Sequence, residues 1–163
     1  MFDPTTMIGF HTWLSLVAIA VGAVVLKGVL DGRPGALATN LFLATAVLTS
    51  ATGYLIPAPR LLPSHIVGVV ALVVLAIALY GRHARHLLGA WASIYAACLV
   101  ISEYLLIFVA VAQVFQKVPG ARALAPTGSV PPFAIAEGIL LAAFVAIGWL
   151  AVRNVRRGRV ALA

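Results

Sequence analysis

Charged residues are scarce in this chain of 163 residues: only 9% are Asp, Glu, Lys or Arg, against roughly 25% in an average soluble domain. Hydrophobic residues instead make up 63%, and the mean hydropathy is +1.11. A soluble fold of this size exposes much of its surface to water and has no place for so many apolar side chains. The composition therefore excludes an ordinary soluble protein and a disordered chain, and it predicts an integral membrane protein with little mass outside the bilayer.

Cysteine is nearly absent as well, with Cys98 as the one example. A single cysteine cannot form a disulfide within the chain, so a disulfide-stabilised scaffold is excluded. Cys98 falls inside an apolar run, where we expect it to pack as a small apolar side chain. The sequence also lacks a phosphate-binding glycine loop, a Ser/His/Asp set and a cysteine-based metal motif, which removes the common enzyme classes that such motifs mark.

Five apolar segments are long enough, or nearly so, to cross a bilayer, which takes about 20 helical residues. They are residues 7–30, 37–56, 61–80, 88–118 and 131–152. Turns rich in Gly and Pro separate them, and the longest of these, from Pro119 to Val130, is expected to be a loop. The apolar runs are continuous rather than alternating, which excludes a β-barrel. The sequence predicts an all-α fold: one polytopic membrane helical bundle over residues 1–163, with five transmembrane helices.

Basic residues are unevenly distributed between the two sides of this bundle. If the N-terminus lies outside, only Arg60, Lys117 and Arg122 fall on the outer side. The other eight Lys and Arg residues fall on the inner side: Lys27, Arg33, Arg82, Arg85, Arg153, Arg156, Arg157 and Arg159. The positive-inside rule then predicts the N-terminus outside and the C-terminus cytoplasmic.

The basic run over residues 153–159 has no aromatic residue among its arginines. We expect it to anchor the chain near anionic lipid rather than to bind nucleic acid. No Lys or Arg precedes Lys27, and the charged residue near the start is Asp3. The first span therefore differs from a secretory signal peptide, and we expect it to be retained.

Polar and ionisable side chains are few inside the spans, where they are costly. At about 1.5 Å of rise per residue, His11, His65, Gln113 and Glu137 are expected in one layer, in the outer third of the membrane. Two imidazoles and a carboxylate suit Fe, Cu or Zn, and two imidazoles at equal depth suit haem b. We therefore expect a cofactor held by His11 and His65, with Glu137 as a third metal ligand and Gln113 beside it.

His11 shares one helical face with Ser15, Ala18 and Gly22, at spacings of four, three and four. A stripe of polar and small residues is typical of a face that packs against other helices. The small residues are expected to leave room for a porphyrin edge. Ser15 is then a neighbour of the site that can relay a proton.

A simpler interpretation needs no cofactor. His11 and His65 lie near a water interface, where each can be hydrogen-bonded or solvated. Glu137 can hydrogen-bond the neighbouring loop or pair with Lys117 or Arg122. The sequence leaves both interpretations open.

Glu103 is a separate case, because it lies near the middle of the fourth span. A carboxylate at that depth is expected to be protonated or paired. One interpretation is a proton relay or a contact to a substrate. The other is a hydrogen bond between helices, to Thr45 or Thr49.

A resemblance to other proteins rests on short motifs near the C-terminus. The stretch QVFQKVP at 113–119, with APT at 125–127 and PPF at 131–133, resembles a block in small uncharacterised bacterial inner-membrane proteins. It covers the last third of the chain and implies no known activity. The overall plan is also similar to small haem-b membrane subunits, in which histidines on different helices ligate haem. The chain departs from their two-haem pattern, since only one outer histidine pair is present.

These observations lead to three functional hypotheses. The first is a metal- or haem-binding protein that transfers electrons between a quinone and a periplasmic partner, or a small metal-dependent membrane enzyme. The second is a proton- or ion-coupled carrier that uses Glu103. The third is a non-catalytic subunit that packs against other membrane subunits, as the near absence of mass outside the bilayer suggests.

Overall fold

The computed structural model describes residues 3–57, 63–124 and 131–158. These residues form six helices and no strand. The helices are α1 (Met7–Leu30), α2 (Ala36–Gly53), α3 (Pro63–His83), α4 (Ala90–Lys117), α5 (Pro119–Leu124) and α6 (Pro131–Arg156). All except α5 are long and apolar enough to cross a membrane. The predicted all-α membrane bundle with five spans is therefore confirmed.

At two of the predicted breaks between spans, the structure differs from the prediction. Part of the predicted loop after Pro119 is the short helix α5, and its remainder, residues 125–130, lies outside the described residues. Gly81 does not end α3, which continues to His83. A Cβ atom at Gly81 would lie 3.0 Å from Cε3 of Trp91, so this glycine lets α3 and α4 approach closely.

Four of the helices form a ring in which each packs on the next. The neighbouring pairs are α1 with α2, α2 with α3, α3 with α4, and α4 with α1. Helix α6 packs outside this ring, mainly on α4 and less on α1. The interior of the ring is therefore enclosed by α1 to α4.

Successive spans run in opposite directions, so the bundle has two ends. We call them the His11 end, where α1, α3 and α6 begin, and the Arg82 end, where those helices finish. At the Arg82 end, Arg82 Nη1 donates to the hydroxyl of Tyr95 at 3.4 Å, which links α3 to α4. Asn154 Nδ2 donates to the carbonyl of Leu30 at 3.2 Å, which links α6 to α1.

The apolar core lies mostly in the half of the bundle toward the Arg82 end. Its buried side chains interlock across all four helices of the ring and include Cys98, as expected for apolar packing. The members on this side are Val25, Leu26, Val29, Phe42, Leu43, Leu75, Ala78, Tyr95, Cys98 and Leu99. The polar interior described next begins where this core ends.

Candidate functional site

Glu103 lies near the middle of α4, inside the ring, with a relative exposure of 1%. Its carboxylate packs against Gly22 of α1. A Cβ atom at Gly22 would overlap the Glu103 carboxylate and would lie 2.7 Å from Cε2 of Phe42. The space beside Gly22 is thus filled by Glu103 and Phe42, and it does not leave the room for a porphyrin edge that was expected from the sequence. The missing side chain at Gly22 instead accommodates a buried carboxylate.

The carboxylate of Glu103 has no hydrogen-bond partner among the described residues. The hydrogen bonds expected to Thr45 or Thr49 are not formed. The hydroxyl of Thr45 donates to the carbonyl of Leu41 at 2.8 Å, within its own helix. The hydroxyl of Thr49 is itself buried without a partner in the described chain. Because an ion buried without a partner is costly, this packing suits a neutral carboxyl group.

A series of polar side chains runs from Glu103 to the His11 end. On each of α1, α2 and α4 these residues recur at spacings of three or four or sums of these, which keeps them on one helical face. We call this series the polar seam, and its members are His11 and Ser15 of α1, Thr45, Thr49 and Thr52 of α2, and Glu103 and Gln113 of α4. The seam connects the middle of the bundle with one of its ends.

The contacts between helices fix the register of the polar seam. At its inner end, Gly22 meets both Glu103 and Phe42. At its outer end, His11 meets Thr52. The steps from Gly22 to His11 and from Phe42 to Thr52 each span about 15 Å at 1.5 Å per residue. The two helices therefore keep one antiparallel register along the whole seam.

His11 is held by a hydrogen bond to α2. Its Nδ1 lies 3.0 Å from Oγ1 of Thr52. The Thr52 hydroxyl donates its proton to the carbonyl of Leu48 at 2.7 Å, so Nδ1 of His11 is the donor to Thr52. Nε2 of the neutral ring then carries the lone pair. Lys117, in the last turn of α4, lies within electrostatic range of this ring.

Ser15 lies one helical turn from His11 on α1, and Gln113 lies on α4. The hydroxyl of Ser15 donates to the carbonyl of His11 at 2.7 Å, so it uses its proton within α1. Gln113 is about ten positions from Glu103, which brings it to the level of His11 in the same register. Its Oε1 is buried without a hydrogen-bond partner in the part of the chain that is described.

His65 lies in the first turn of α3, as predicted. Its ring stacks on Tyr54 with centroids 5.6 Å apart, and the Tyr54 hydroxyl donates to the carbonyl of His65 at 2.6 Å. His11 lies against Thr52, and a Cβ atom at Gly53 would be 3.5 Å from Cε1 of His11. Both histidines therefore lie against the C-terminal end of α2.

The structure does not bring the predicted ligands together as a set of three. Within residues 3–57, 63–124 and 131–158, no group of three or more His, Cys, Asp or Glu side chains is positioned to hold a metal ion. The predicted set of His11, His65 and Glu137 is therefore not formed. A site formed by the two histidines alone stays a prediction.

Glu137 lies on α6, outside the ring. Both of its carboxylate oxygens are buried without a hydrogen-bond partner in the described residues, and neither Lys117 nor Arg122 forms a salt bridge with it. Tyr104 of α4 packs on Phe144 of α6 and lies within electrostatic range of Glu137. Glu137 is thus a second unpartnered carboxyl group, at the α4–α6 contact.

Two contacts of the site were not predicted from the sequence. Thr52 holds His11, and Gly22 accommodates Glu103. A sequence signal for both contacts is a spacing of about ten positions that recurs on each of α1, α2 and α4. The pairs with this spacing are Gly22 and His11, Phe42 and Thr52, and Glu103 and Gln113. That spacing indicates which residues share a level only when the register of one contact is known.

Comparison with known proteins gives no relative: no family model, no curated protein and no solved structure matches the chain. The resemblances expected from the sequence therefore gain no support. Any function has to be argued from the geometry of the polar seam and of the two histidines.

Proposed function

We propose that this chain is a proton-coupled membrane carrier in which Glu103 binds the proton. The observation that carries this proposal is a fully buried carboxyl group, without a partner among the described residues, at the inner end of a polar seam. Ionisable residues inside membrane spans are costly and characteristic of proton relays and substrate pathways. A residue with only a structural role would be expected to have its oxygens hydrogen-bonded.

The contact between Glu103 and Gly22 supplies a way to couple protonation to a change in packing. A neutral carboxyl group is compatible with the close approach of α1 to α4. Once the proton leaves, the carboxylate needs a polar partner, and no protein group among the described residues supplies one at the contact with Gly22. Loss of the proton therefore favours a state in which α1 and α4 separate, and gain of the proton favours closure. Two such states are what a carrier requires.

The test is proton-driven transport by the purified chain in proteoliposomes. A pH step is applied, the charge movement is recorded on a supported membrane, and uptake is screened across pools of small organic solutes. We expect Glu103→Gln, which keeps the shape of the neutral group, to lower both signals by about tenfold or more. Asp31→Asn is the matched control, because it makes the same type of change at an exposed carboxyl group outside the seam, and it should retain uptake. Wild-type signals in Glu103→Gln would contradict the proposal.

A second candidate function rests on the two histidines at the end of α2. The hydrogen bond from His11 Nδ1 to Thr52 leaves Nε2 as the atom with a lone pair, which is the usual arrangement of a ligating histidine. We propose as the alternative that His11 and His65 hold haem b or a single Fe, Cu or Zn ion. Such a group would supply electron transfer between a quinone and a periplasmic partner, or activate water for a small membrane enzyme.

Spectroscopy and elemental analysis distinguish the carrier from the haem- or metal-binding protein. The haem version predicts a Soret band in the purified protein, and the metal version predicts a stoichiometric metal by elemental analysis. Both signals should disappear in His11→Ala and persist in Glu103→Gln. Purified and reconstituted protein without either signal would exclude the second candidate and leave the carrier proposal untouched.

The lipid bilayer is the partner that the five apolar helices support directly. We further infer that the Arg82 end faces the cytoplasm of a bacterial cell and that the chain lies in the inner membrane. Most described Lys and Arg residues lie at that end, which agrees with the positive-inside rule. They are Lys27, Arg33, Arg82, Arg85, Arg153, Arg156 and Arg157, against Lys117 and Arg122 at the His11 end. Reporter fusions to the C-terminus, active only in the cytoplasm, test this orientation.

A further inference from the structure

The interior of the ring is polar on one side of Glu103 and apolar on the other. Toward the His11 end, the buried hydroxyl of Thr49 and the amide oxygen of Gln113 have no hydrogen-bond partner among the described residues. Toward the Arg82 end, the interior is filled mostly by fully buried apolar side chains, and the buried polar residues there are Thr39 and Ser102. The largest of the apolar side chains around the level just beyond Glu103 are Val25, Val29, Phe42, Leu75 and Leu99.

We infer that, in the closed state in which Gly22 packs on Glu103 and without a transported solute, Glu103 exchanges its proton with the water at the His11 end and not with the water at the Arg82 end. The inference rests on the proposed role of Glu103 as the proton-binding group and adds the side from which the proton arrives. Hydronium at the His11 end gives up a proton, a carboxylate oxygen of Glu103 takes it, and water is left behind. No other bond changes and no electron moves.

The unpartnered atoms of the seam supply the path for this transfer. Buried polar atoms without a protein partner are the usual anchors of internal water. Thr49 lies between His11 and Glu103 in the fixed register, and Gln113 lies at the outer level. Waters bound to these two groups cover the outer part of the roughly 15 Å between the His11 end and the carboxyl group, and a water that donates to the Thr45 hydroxyl covers the inner part. In the other direction, the one unpartnered polar atom in the described residues is the Ser102 hydroxyl, one residue from Glu103. From there to Tyr95, which is tied to Arg82, the interior is mostly apolar, and the buried Thr39 hydroxyl donates within its own helix.

No other ionisable group interrupts this path. Helix α1 has none between His11 and Lys27, α2 has none at all, and α3 has none between His65 and Tyr80. The ionisable groups nearest in sequence on α4 are Cys98, in the apolar core, and Tyr104, which faces α6. Helix α6 contributes Glu137, at its contact with α4. Glu103 is thus the one carboxyl group inside the ring of α1 to α4 in the described residues.

The experiment measures the protonation of Glu103 from each side separately. The full chain is reconstituted in vesicles, and its orientation is determined with an impermeant thiol reagent on a Thr5→Cys, Cys98→Ala variant. Infrared spectroscopy follows the band of the protonated Glu103 carboxyl group, assigned by its loss in Glu103→Gln. The pH is stepped on one side while the other side is strongly buffered. The band should follow the pH at the His11 end and ignore the pH at the Arg82 end.

A matched pair of threonine variants tests the path itself. Thr49→Val removes an unpartnered hydroxyl from the seam, whereas Thr39→Val removes a buried hydroxyl from the Arg82 half, where it donates to the carbonyl of Gly35 at 2.9 Å. We expect Thr49→Val to slow the exchange at Glu103 by about tenfold or more, and Thr39→Val to leave its rate unchanged. Equal exchange rates in Thr49→Val and Thr39→Val would show that the proton path does not pass Thr49.

The outcomes also separate this inference from the proposed function. A Glu103 band that follows the pH at the Arg82 end, or at both ends, overturns the inference and leaves Glu103 as a proton-binding group. A band that follows the pH at neither end removes the proton-binding role itself, and the inference falls with it. A response confined to the His11 end supports both.

Discussion

The two halves of the bundle are built from the same helices but filled in opposite ways. Toward the Arg82 end, apolar side chains such as Val25, Leu75 and Leu99 are buried almost completely. Toward the His11 end, the interior contains Thr49 and Gln113 with polar atoms that lack partners in the described chain. Packing of this kind stabilises helix contacts in a bilayer, and unpartnered polar atoms weaken them. The comparison teaches that close apolar packing is concentrated in one half of the bundle, whereas the other half contains the polar groups on which the proposed function depends.

The largest expected effect is a cavity in the apolar half. Leu75→Ala should lower the free energy of unfolding by about 2–5 kcal/mol, because the buried side chain loses its packing contacts and the ring cannot collapse fully around the gap. Equilibrium unfolding in mixed micelles measures it. Leu48→Ala is the control, since Leu48 is 51% exposed on the outer surface of α2. Equal losses in the two variants would break the distinction between the halves.

The next effect tests the meeting point of the two halves. Gly22→Ala should destabilise the fold by about 1–3 kcal/mol, because the new methyl group overlaps the Glu103 carboxylate and the ring of Phe42. Gly138→Ala is the matched control on α6, where nothing lies within 4 Å of the new atom, and it should be neutral or slightly stabilising. Thermal unfolding of both variants in one detergent gives the comparison. If the Gly22→Ala protein were as stable as the wild type, α1 and α4 would not be in close contact at this position.

A smaller effect of opposite sign is expected in the polar half. Thr49→Val should raise the free energy of unfolding slightly, by at most about 1 kcal/mol, because the hydroxyl has no protein partner in the described residues and the water that it binds is costly to immobilise. Thr39→Val should lower it by about 0.5–1.5 kcal/mol, because the hydroxyl that donates to Gly35 is lost. Denaturant titration of the two variants under one set of conditions measures the difference. The same sign in both would show that the two hydroxyls have equivalent surroundings.

The smallest effect lies outside both interiors. Lys27 and Asp31 form an ion pair one helical turn apart at the Arg82 end, with their side chains 77% and 54% exposed. Asp31→Asn should change the free energy of unfolding by no more than about 0.5 kcal/mol, because water and salt screen such a pair. Thermal unfolding at low and high salt measures it. A loss as large as that of Leu75→Ala would mean that surface charge, not the apolar core, stabilises this half.

The helices were predictable because their limits depend on local features. Apolar length defined residues 7–30, and α1 has those bounds. The proline pair at 131–132 correctly marked the start of α6. The end of α6 was predicted at residue 152 but lies at Arg156, because Arg153 stacks over Trp149 at 4.9 Å and carries the helix past the apolar run.

The candidate site was predictable only in part. The depth of Glu103 and the common helical face of His11, Ser15, Ala18 and Gly22 follow from sequence position, and the burial of Ala18 and Gly22 confirms that face. The partners of these residues do not follow, because they depend on how each helix is rotated. For Glu103 the sequence left open a proton relay or substrate contact and a hydrogen bond to Thr45 or Thr49; the hydrogen bond is not formed, and the carboxylate packs against Gly22.

The sequence by itself determined the class of protein, the number of spans and the depth of each polar residue. The physical reason is that a bilayer requires helices of a certain length and apolarity, and both properties are local. Only the tertiary structure decided that Glu103 faces Gly22, that His11 binds Thr52, and that the polar and apolar interiors occupy opposite halves. These facts depend on helix rotation, which is set by the fit of side-chain volumes between helices, and the gap at Gly22 is the clearest example of that fit.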